Sequence, residues 1–318
     1  MQHSAPKGRR GGRRLACPSV RTVYLGTSDF AVVVLELLAA SEHRPALVIT
    51  RPDRPRGRGR RLASPPVATA AGTLGLELAQ PESVNAEEAR AAVAAAEPEA
   101  VCICAFGALI EEPLLSEHPM LNVHPSLLPR WRGAAPIERA IEAGDAEAGV
   151  SIMRPTAALD AGPVCLQRAE PIRPEDDYGS LAPRLARLGG ELLVEALDRS
   201  PPFREQPEQG ATYAAKIVAA DRRLDPSLGA AALEHKVRAL NPHIGTWAEL
   251  PGERRLGVRR AAAREGGGTA PGRLAALDGR LLLGTSDGTL ELLEVQPPGG
   301  RLMEAAAWLR GHGGQLSD

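Results

Sequence analysis

The sequence predicts an α/β domain with a mostly parallel sheet, followed by a small all-β domain. Short apolar runs alternate with helical patterns from residue 21 to residue 197, which is typical of a parallel sheet covered by helices on both faces. A segment rich in Pro, Gln and charged residues follows at 198–211, as in linkers. Beyond it, Gly and Pro separate short apolar runs, as in a small barrel or sandwich.

Each element follows from its local pattern, and the elements divide the chain into four parts. In the first domain we predict strands at 21–25, 46–50, 101–106, 121–124, 149–153 and 163–172, and helices at 30–40, 66–75, 137–143 and 178–197. In the second domain we predict strands at 246–250, 255–260, 272–277, 281–284 and 289–295, with helices at 228–240 and 303–310. The predicted parts are an arm at 1–20, a first domain at 21–197, a linker at 198–211 and a second domain at 212–318.

Composition excludes several classes of protein. The chain has 318 residues, of which 43% are hydrophobic and 24% are charged, so it is neither disordered throughout nor a disulfide scaffold. No apolar run reaches the ~18 residues that a transmembrane helix needs, so we expect no membrane span. Four scattered cysteines suit a reducing cytoplasm, where we expect the protein to act. Cys102 and Cys104 lie two apart on a predicted strand and are expected in the core, and no metal site is expected.

Two basic segments are concealed by a formal net charge of −1. Residues 1–20 carry one lysine and four arginines without an acidic residue, and residues 51–62 carry six arginines and one aspartate. The first segment has no periodicity and is predicted to be a flexible arm; a transit peptide, a nucleic-acid-binding arm and an artefact of start-site choice all remain open. The second is either a solvated loop or a polyanion-binding loop.

The strongest candidate for chemistry is the stretch 121–137, LNVHPSLLPRWRGAAPI. Asn122 and His124 lie two apart on a predicted strand, so their side chains share one face. Pro125 ends the strand, which places the pair at its carboxyl end, where open α/β sheets bind ligands. An amide donor beside an imidazole suits oxyanion stabilisation with proton transfer, although each residue alone also fits a structural role.

Asp160 is the candidate partner of this pair. It stands in the stretch AALDAGPV, which is foremost a turn sequence. If its loop lies beside the predicted strand, its carboxylate would raise the proton affinity of His124 and fix the tautomer. Gly26 alone does not make a dinucleotide-binding glycine motif, so NAD binding is not expected.

These stretches together resemble the folate-dependent formyltransferases, and within them the enzymes that act on methionyl-tRNA. The resemblance rests on YLGTSDFA, RPDRPRGRGRRL, NVHPSLLPRWRGAAPI, LDAGPV, ATYAAKI and KVRALNPHIGTWAEL, and it covers nearly all of the chain after residue 20. It implies a Rossmann-like first domain and assigns catalysis to Asn122, His124 and Asp160. The formyl donor, 10-formyltetrahydrofolate, would be held by the loop Ser126, Leu127, Leu128 and Pro129 and by a pterin pocket at Phe106, Gly107, Ala108, Leu109 and Ile110.

The resemblance also implies that the acceptor is methionyl-initiator-tRNA. It places Arg58 at the main reading position of a loop that enters the tRNA acceptor end, with Arg54, Arg56, Arg60 and Arg61 around it, and it implies an OB-like second domain. There, the local charge makes Lys216, Lys236, Arg238, Arg222 and Arg223 candidates for RNA contacts. Formylation of a nucleotide sugar or of glycinamide ribonucleotide, and a catalytically silent RNA-binding protein, are the alternatives. A monomer is the default expectation.

Overall fold

The computed structural model describes residues 19–56, 59, 61–250, 254–266, 268–312 and 316. Residues 1–18 of the predicted arm lie outside these ranges, as do Arg58 and Arg60. Within them the chain forms two domains, each with its own sheet and buried core. No helix in the described ranges combines the length and apolar character that crossing a bilayer requires.

The N-terminal domain is built from alternating strands and helices. In chain order these are β1 (Thr22–Gly26), α1 (Asp29–Ala39), β2 (Pro45–Ile49), β3 (Arg54–Arg56), β4 (Arg61–Ala63), α2 (Pro66–Leu74), β5 (Leu78–Ala79), α3 (Glu87–Ala95), β6 (Ala100–Cys104), α4 (Leu114–Glu117), β7 (Met120–His124), β8 (Arg132–Gly133), α5 (Pro136–Glu142), β9 (Glu147–Met153), β10 (Val164–Pro171) and α6 (Tyr178–Arg199). The predicted alternation is confirmed. Helices α3 and α4, the short strands β5 and β8, and the β3–β4 hairpin were not predicted.

Seven strands form the N-terminal sheet in the order β10-β9-β7-β6-β1-β2-β5. The five strands from β7 to β5 are parallel, whereas β9 and β10 continue the sheet antiparallel at one edge. The predicted mostly parallel sheet is therefore confirmed. Because the chain passes from β1 to β2 in one direction and returns to β6 on the other side of β1, the strand order reverses there, and a crevice opens at the carboxyl ends of β1 and β6.

Helices bury both faces of this sheet. On β1, Val23 and Leu25 pack in one cluster with Leu114 of α4, while Tyr24 packs in the opposite cluster with Leu185 of α6. Cys102 and Cys104 lie fully buried in the second cluster, as predicted for core residues, and burial raises the pKa of each thiol to about 12.

Helix α6 lies unusually close to the strand that carries the candidate catalytic residues. Its Gly189 faces Val123 of β7, and a Cβ on that glycine would lie 2.7 Å from the valine Cγ1. Any larger residue would push the helix off the strand. The glycine thus allows α6 to support β7 from behind, opposite the crevice.

The segment predicted as a linker is bound to the N-terminal domain over much of its length. Arg204 exchanges two backbone hydrogen bonds with Val164, of 2.8 and 2.9 Å. Further on, β11 (Tyr213–Ala214) pairs in parallel with β8. The Pro and Gln content correctly predicts a lack of regular structure here, but the segment is held against the domain rather than free.

The C-terminal domain is an antiparallel sheet with two helices. It comprises a 3₁₀ turn (Ala219–Arg222), α7 (Ala230–Leu240), β12 (Thr246–Leu250), β13 (Arg254–Glu265), β14 (Leu274–Leu277), β15 (Arg280–Gly284), β16 (Gly288–Gln296), β17 (Met303–Glu304) and α8 (Ala305–His312). The sheet order is β12-β13-β16-β15-β14, with β17 beside β16. Leu233 and Val237 of α7 pack on the sheet with Trp308 of α8. The predicted β-rich second domain is confirmed.

Two residues predicted to contact tRNA make contacts between the domains. Lys236 Nζ lies 3.3 Å from Glu142 of α5, and Arg238 donates a 2.7 Å hydrogen bond to the Asp176 carbonyl ahead of α6. Their side chains are only 13% and 17% exposed. Because α7 packs against α5 as well as against its own sheet, its basic face is turned inward. Lys236 and Arg238 thus contribute to domain docking, and their assignment to tRNA contacts stays a prediction.

Asp176 is the centre of this junction. Its buried carboxylate accepts two hydrogen bonds from the Arg184 guanidinium, of 2.7 and 2.9 Å, and one of 2.7 Å from Ser180. Hydrogen bonding to Arg184 is the main reason that the pKa of Asp176 lies well below its usual value. Since the folded-state pKa is depressed, the carboxylate stabilises the fold above the unfolded-state pKa of ~3.9, and this contribution is lost as the pH falls below it.

We expect Asp176→Asn to lower the free energy of unfolding by roughly 2–4 kcal/mol at neutral pH, because it leaves the Arg184 charge without its bidentate partner. The difference from wild type should shrink as the pH is lowered from about 5 towards 3. Urea denaturation at several pH values measures both effects. Glu175→Gln, which removes one exposed charge from the preceding residue, is the control and should change little. A difference independent of pH would contradict the assignment.

Candidate active site

Asn122 and His124 lie at the carboxyl end of β7 and face a cleft of about 540 Å³. Asp160 also lines this cleft, from the turn between β9 and β10. The cleft continues the crevice between the ends of β1 and β6, where Ser28 and Phe106 form part of its wall. The three residues predicted to be catalytic therefore converge on one cavity, although they come from two separate stretches of chain.

A backbone carbonyl determines which nitrogen of His124 is available for chemistry. Nε2 lies 2.9 Å from the Trp131 carbonyl oxygen, which can only accept a hydrogen bond, so Nε2 carries a proton. Nδ1 lies 3.6 Å from Asp160 Oδ2. The tautomer is thus fixed by the Trp131 carbonyl, and not by Asp160 as the sequence predicts. His124 is 4% exposed, and Nδ1 is its nitrogen on the Asp160 side.

Asp160 both forms a turn and faces His124. Its φ of +45° places it in the left-handed region, as the turn-forming sequence around it favours. Its Oδ2 accepts a 2.9 Å hydrogen bond from the Gly133 amide. At 3.6 Å the carboxylate is beyond direct hydrogen-bond distance from His124 Nδ1, so it acts on the imidazole through its charge or through a bridging water.

Trp131 holds its carbonyl in place through packing and hydrogen bonds. Its φ of +63° is unfavourable for a non-glycine residue and needs support from its surroundings. The indole Nε1 donates to Asp145 at 2.8 Å, and the Trp131 amide donates to Thr212 Oγ1 at 2.9 Å. Arg130 lies over the indole ring at 4.4 Å and pairs with the same Asp145. Trp131 therefore packs through its side chain and contributes its backbone to the site.

The predicted pterin pocket lies on the wall of the same cleft. All five residues from Phe106 to Ile110 line it. The Phe106 carbonyl accepts a 2.7 Å hydrogen bond from Thr27, and the Gly107 carbonyl accepts one of 3.1 Å from Arg51. This wall combines apolar side chains with a fixed backbone, which suits a flat heteroaromatic ring.

The loop from Ser126 to Pro129 does not form part of the wall of the cleft. Ser126 is buried and donates a 2.6 Å hydrogen bond to the Arg130 carbonyl. Leu127 lines a separate pocket of about 250 Å³, and Leu128 lines another of about 360 Å³. Their side chains thus lie beside the cleft rather than in it. The loop follows His124 directly and supports the backbone around it.

The arginine segment begins at the rim of the cleft, where Arg51 contacts Gly107. It forms the antiparallel β3–β4 hairpin, in which Arg54 pairs with Glu82 at 2.9 Å and Arg61 is exposed. The side chain of Arg56 and all of Arg58 and Arg60 lie outside the described residues. Lys216 is exposed just after β11.

Sequence analysis missed the contribution of the segment between the domains. Thr212 holds Trp131, and Gln206 donates to the backbone carbonyls of Asp160 and Gly162, at 2.8 and 2.6 Å. The Pro- and Gln-rich composition concealed these contacts because single anchoring side chains leave no periodic pattern. The only signal was that the resemblance continued through ATYAAKI, immediately after the segment.

Two family matches cover most of the chain. Residues 20–197 match the family described as Formyl transferase, and residues 216–313 match the one described as Formyl transferase, C-terminal domain. The chain belongs to the formyl transferase family. Among its relatives, the methionyl-tRNA formyltransferase of Ruegeria pomeroyi is 44% identical over 298 residues, covering 92% of this chain and 97% of the relative. That of Bordetella pertussis is 43% identical over 311 residues, covering 92% and 99%.

Solved structures share the fold at lower identity. HypX from Aquifex aeolicus, in complex with tetrahydrofolic acid, has a TM-score of 0.62 at 19% identity and covers 92% of this chain, which spans about half (47%) of HypX. The N-formyltransferase from Helicobacter canadensis, in complex with folinic acid and dTDP-3-aminofucose, has a TM-score of 0.62 at 14% identity and covers 86% of this chain and 99% of its own. These likenesses support the formyl transferase fold described above.

We expect Gly133→Ala to reduce activity at least tenfold. Gly133 has a φ of +122°, and a Cβ there would lie 2.7 Å from the Ala214 carbonyl oxygen of β11. The substitution must separate β8 from β11 or turn the Gly133 amide away from Asp160. Steady-state turnover and the thermal midpoint measure the effect. Gly72→Ala, in α2 with open space around the position, is the control and should be neutral or slightly stabilising. If the Gly133→Ala variant turned over at the wild-type rate, the hydrogen bond from the Gly133 amide to Asp160 would be dispensable.

Proposed function

We propose that this protein transfers the formyl group of 10-formyltetrahydrofolate to the α-amino group of methionyl-initiator-tRNA. The convergence of Asn122, His124 and Asp160 on one cleft carries the proposal, in a chain whose relatives named above are methionyl-tRNA formyltransferases matched over nearly their whole length. The product would be the N-formylmethionyl-tRNA that begins translation. All three side chains come from the same domain of one chain.

The reaction needs charge stabilisation at one oxygen. The free α-amine attacks the formyl carbon, which becomes tetrahedral while its oxygen gains negative charge. Because His124 Nε2 is already occupied by the Trp131 carbonyl, protonated Nδ1 is the nitrogen that donates to this oxygen, together with the Asn122 amide. The negative charge of Asp160 stabilises the imidazolium at 3.6 Å. These groups neutralise the oxyanion, so no metal is required.

Collapse of the intermediate requires one proton to move. The bond from the formyl carbon to N10 of the folate breaks, and the bond from that carbon to the α-nitrogen remains. The α-nitrogen loses one proton and N10 gains one. Asp160 lies beside His124 at the cleft and is placed to relay this proton through a water molecule, as a general base and then a general acid.

The folate would occupy the cleft wall formed by residues 106–110. Backbone groups of Gly107, Ala108 and Leu109 are suited to pair with the polar edge of a pterin, while Phe106 and Ile110 supply apolar contact. The loop from Ser126 to Pro129 completes the donor site by fixing the backbone beside His124. With the pterin bound there, N10 of the donor would lie towards Asn122 and His124.

Recognition of the tRNA would use the arginine hairpin and the C-terminal domain. Guanidinium groups bind phosphates and base edges in a bidentate manner, and the hairpin begins at the cleft rim, so a tRNA acceptor end held by it reaches the reacting carbon. Arg54, Arg56, Arg58, Arg60, Arg61 and exposed Lys216 are the proposed contacts. The second domain, at 212–318 after the segment 198–211, would form an OB-like barrel that binds the tRNA backbone.

We expect His124→Ala and Asp160→Asn each to lower the rate of formyl transfer by ~10²–10⁴-fold, because each removes a group that moves or stabilises a proton. Single-turnover formylation of methionyl-tRNA with 10-formyltetrahydrofolate measures this rate. His118→Ala, in a loop away from the cleft, is the control. An amino sugar nucleotide and glycinamide ribonucleotide serve as competing acceptors. Transfer to either of them but not to the tRNA would overturn the acceptor assignment, and folate binding with an unchanged rate would overturn the residue roles.

We expect Arg58→Ala to weaken discrimination between initiator and elongator methionyl-tRNA by about 1–3 kcal/mol, or roughly 5- to 150-fold in the ratio of kcat/KM. The comparison of kcat/KM for the two tRNAs measures it, with exposed Arg301→Ala as the control. An equal loss for both tRNAs would identify Arg58 as a phosphate contact instead. An unchanged rate for the initiator tRNA would exclude either contact.

A further inference from the structure

Gln206 joins the turn that carries Asp160 to β8, which follows Trp131, although it lies in the segment between the domains. We propose that Gln206 is a positioning residue for formyl transfer, which holds Asp160 in register with His124. The proposal rests on the function proposed above and extends it to a part of the chain that composition marks as a connector. Gln206 does not line the 540 Å³ cleft, so it acts through Asp160.

The side-chain amide of Gln206 makes three hydrogen bonds, which use both of its donor hydrogens and one acceptor position of its oxygen. Nε2 donates to the carbonyl oxygens of Asp160, at 2.8 Å, and Gly162, at 2.6 Å. Oε1 accepts a 3.1 Å hydrogen bond from Arg132 Nε. Two acceptors on one side and a donor on the other permit only one orientation of the amide. A glutamine fits this position because it supplies two donors and one acceptor in a fixed plane.

These bonds complete a ring of hydrogen bonds around Asp160. Gln206 holds the Asp160 backbone, and the Gly133 amide holds its carboxylate at 2.9 Å. Arg132, which precedes Gly133, is bound to Gln206 in turn. The ring therefore connects the turn that carries Asp160 with β8, the strand that follows Trp131. The Trp131 carbonyl in turn binds His124.

The turn needs such support because of its backbone conformation. Asp160 adopts φ +45°, which a non-glycine residue occupies at a cost of order 1–3 kcal/mol unless its surroundings enforce it. Without the Gln206 donors, the carbonyls of residues 160 and 162 lose their partners and the turn can relax. A shift of the carboxylate by about 1 Å relative to His124 is enough to slow catalysis by two orders of magnitude.

Arg132 gives the second reason for a neutral amide here. Its side chain is 2% exposed, and its NH2 group has no hydrogen-bond partner among the described residues. Glu208 lies 3.5 Å from its NH1 group but is 82% exposed. A glutamate at 206 would pair with this buried cation, yet it would turn carboxylate oxygens towards the carbonyls of Asp160 and Gly162. Gln206→Glu would thus keep the contact to Arg132 while it removes the hydrogen bonds to the turn that carries Asp160.

The segment is anchored on both sides of Gln206, so its replacement should leave the fold intact. Arg204 exchanges backbone hydrogen bonds with Val164, and the Thr212 amide and carbonyl bond to the loop from Pro129 to Arg132 at 3.3 and 2.9 Å. Gln206→Met keeps the length of the side chain and removes all three hydrogen bonds. Gln209→Met makes the same change at an exposed position three residues later.

The test compares steady-state and single-turnover formylation of methionyl-tRNA by the full-length variants. We expect Gln206→Met and Gln206→Glu to lower kcat by ~10–100-fold, with KM for both substrates within about threefold of wild type. Gln209→Met should match wild type. Thermal midpoints report folding, and Gln206→Glu should retain or raise its midpoint through Arg132 while losing turnover.

A double-mutant cycle distinguishes an effect of Gln206 that passes through Asp160 from an unspecific loss of activity. In the Asp160→Asn background, Gln206→Met should reduce the remaining rate by less than about threefold, because its effect passes through the carboxylate already removed. Additive losses, a change confined to KM, or wild-type turnover in Gln206→Met would overturn the positioning role while leaving the proposed function intact. A wild-type protein that does not formylate methionyl-tRNA would overturn the proposed function, and this inference with it.

Discussion

The hydrogen bond from His124 to the Trp131 carbonyl is the constraint on which the rest of the site depends. It occupies one ring nitrogen and so leaves the other for the acid–base chemistry beside Asp160. A carbonyl can perform this task only if its own peptide unit is immobile. The support for it therefore extends outward, to Asp145 through the indole and to Thr212 through the Trp131 amide.

The position of β7 in the sheet supports this arrangement. The carboxyl end of β7 borders the crevice, and α6 covers the opposite side of the strand. Helix α6 packs closely behind the strand at Gly189, while the reversal of strand order between β1 and β6 opens the space in front. The sheet thus carries Asn122 and His124, whereas segments that leave the sheet carry Asp160 and the arginine hairpin. This division is common in α/β enzymes, where strands fix the reacting groups and loops adapt to the substrate.

The central sheet and the pairing of Asn122 with His124 at one strand end could be predicted because both leave local signals. Buried parallel strands are continuous apolar runs, and a spacing of two on a strand places Asn122 and His124 on one face whatever the rest of the chain does. The pairing with Asp160 came from the family resemblance, since a turn sequence does not show what its carboxylate faces. The contacts of Lys236 and Arg238 with the first domain could not be predicted. A helix whose basic residues face a second domain can have the same composition as a helix whose basic residues face solvent.

The attachment of the segment 204–214 to the catalytic loops changes where the enzymatic unit ends. Although the sheet and its helices are complete by Arg199, the residues that hold Trp131 and the Asp160 turn come later, at Thr212 and Gln206. A fragment cut at the end of α6 would keep Asn122, His124 and Asp160 and lose the contacts that align them. The unit needed for function therefore extends beyond the residues that complete the first sheet and its helices. A chimaera that exchanges second domains among relatives would have to keep the segment 204–214 together with the first domain.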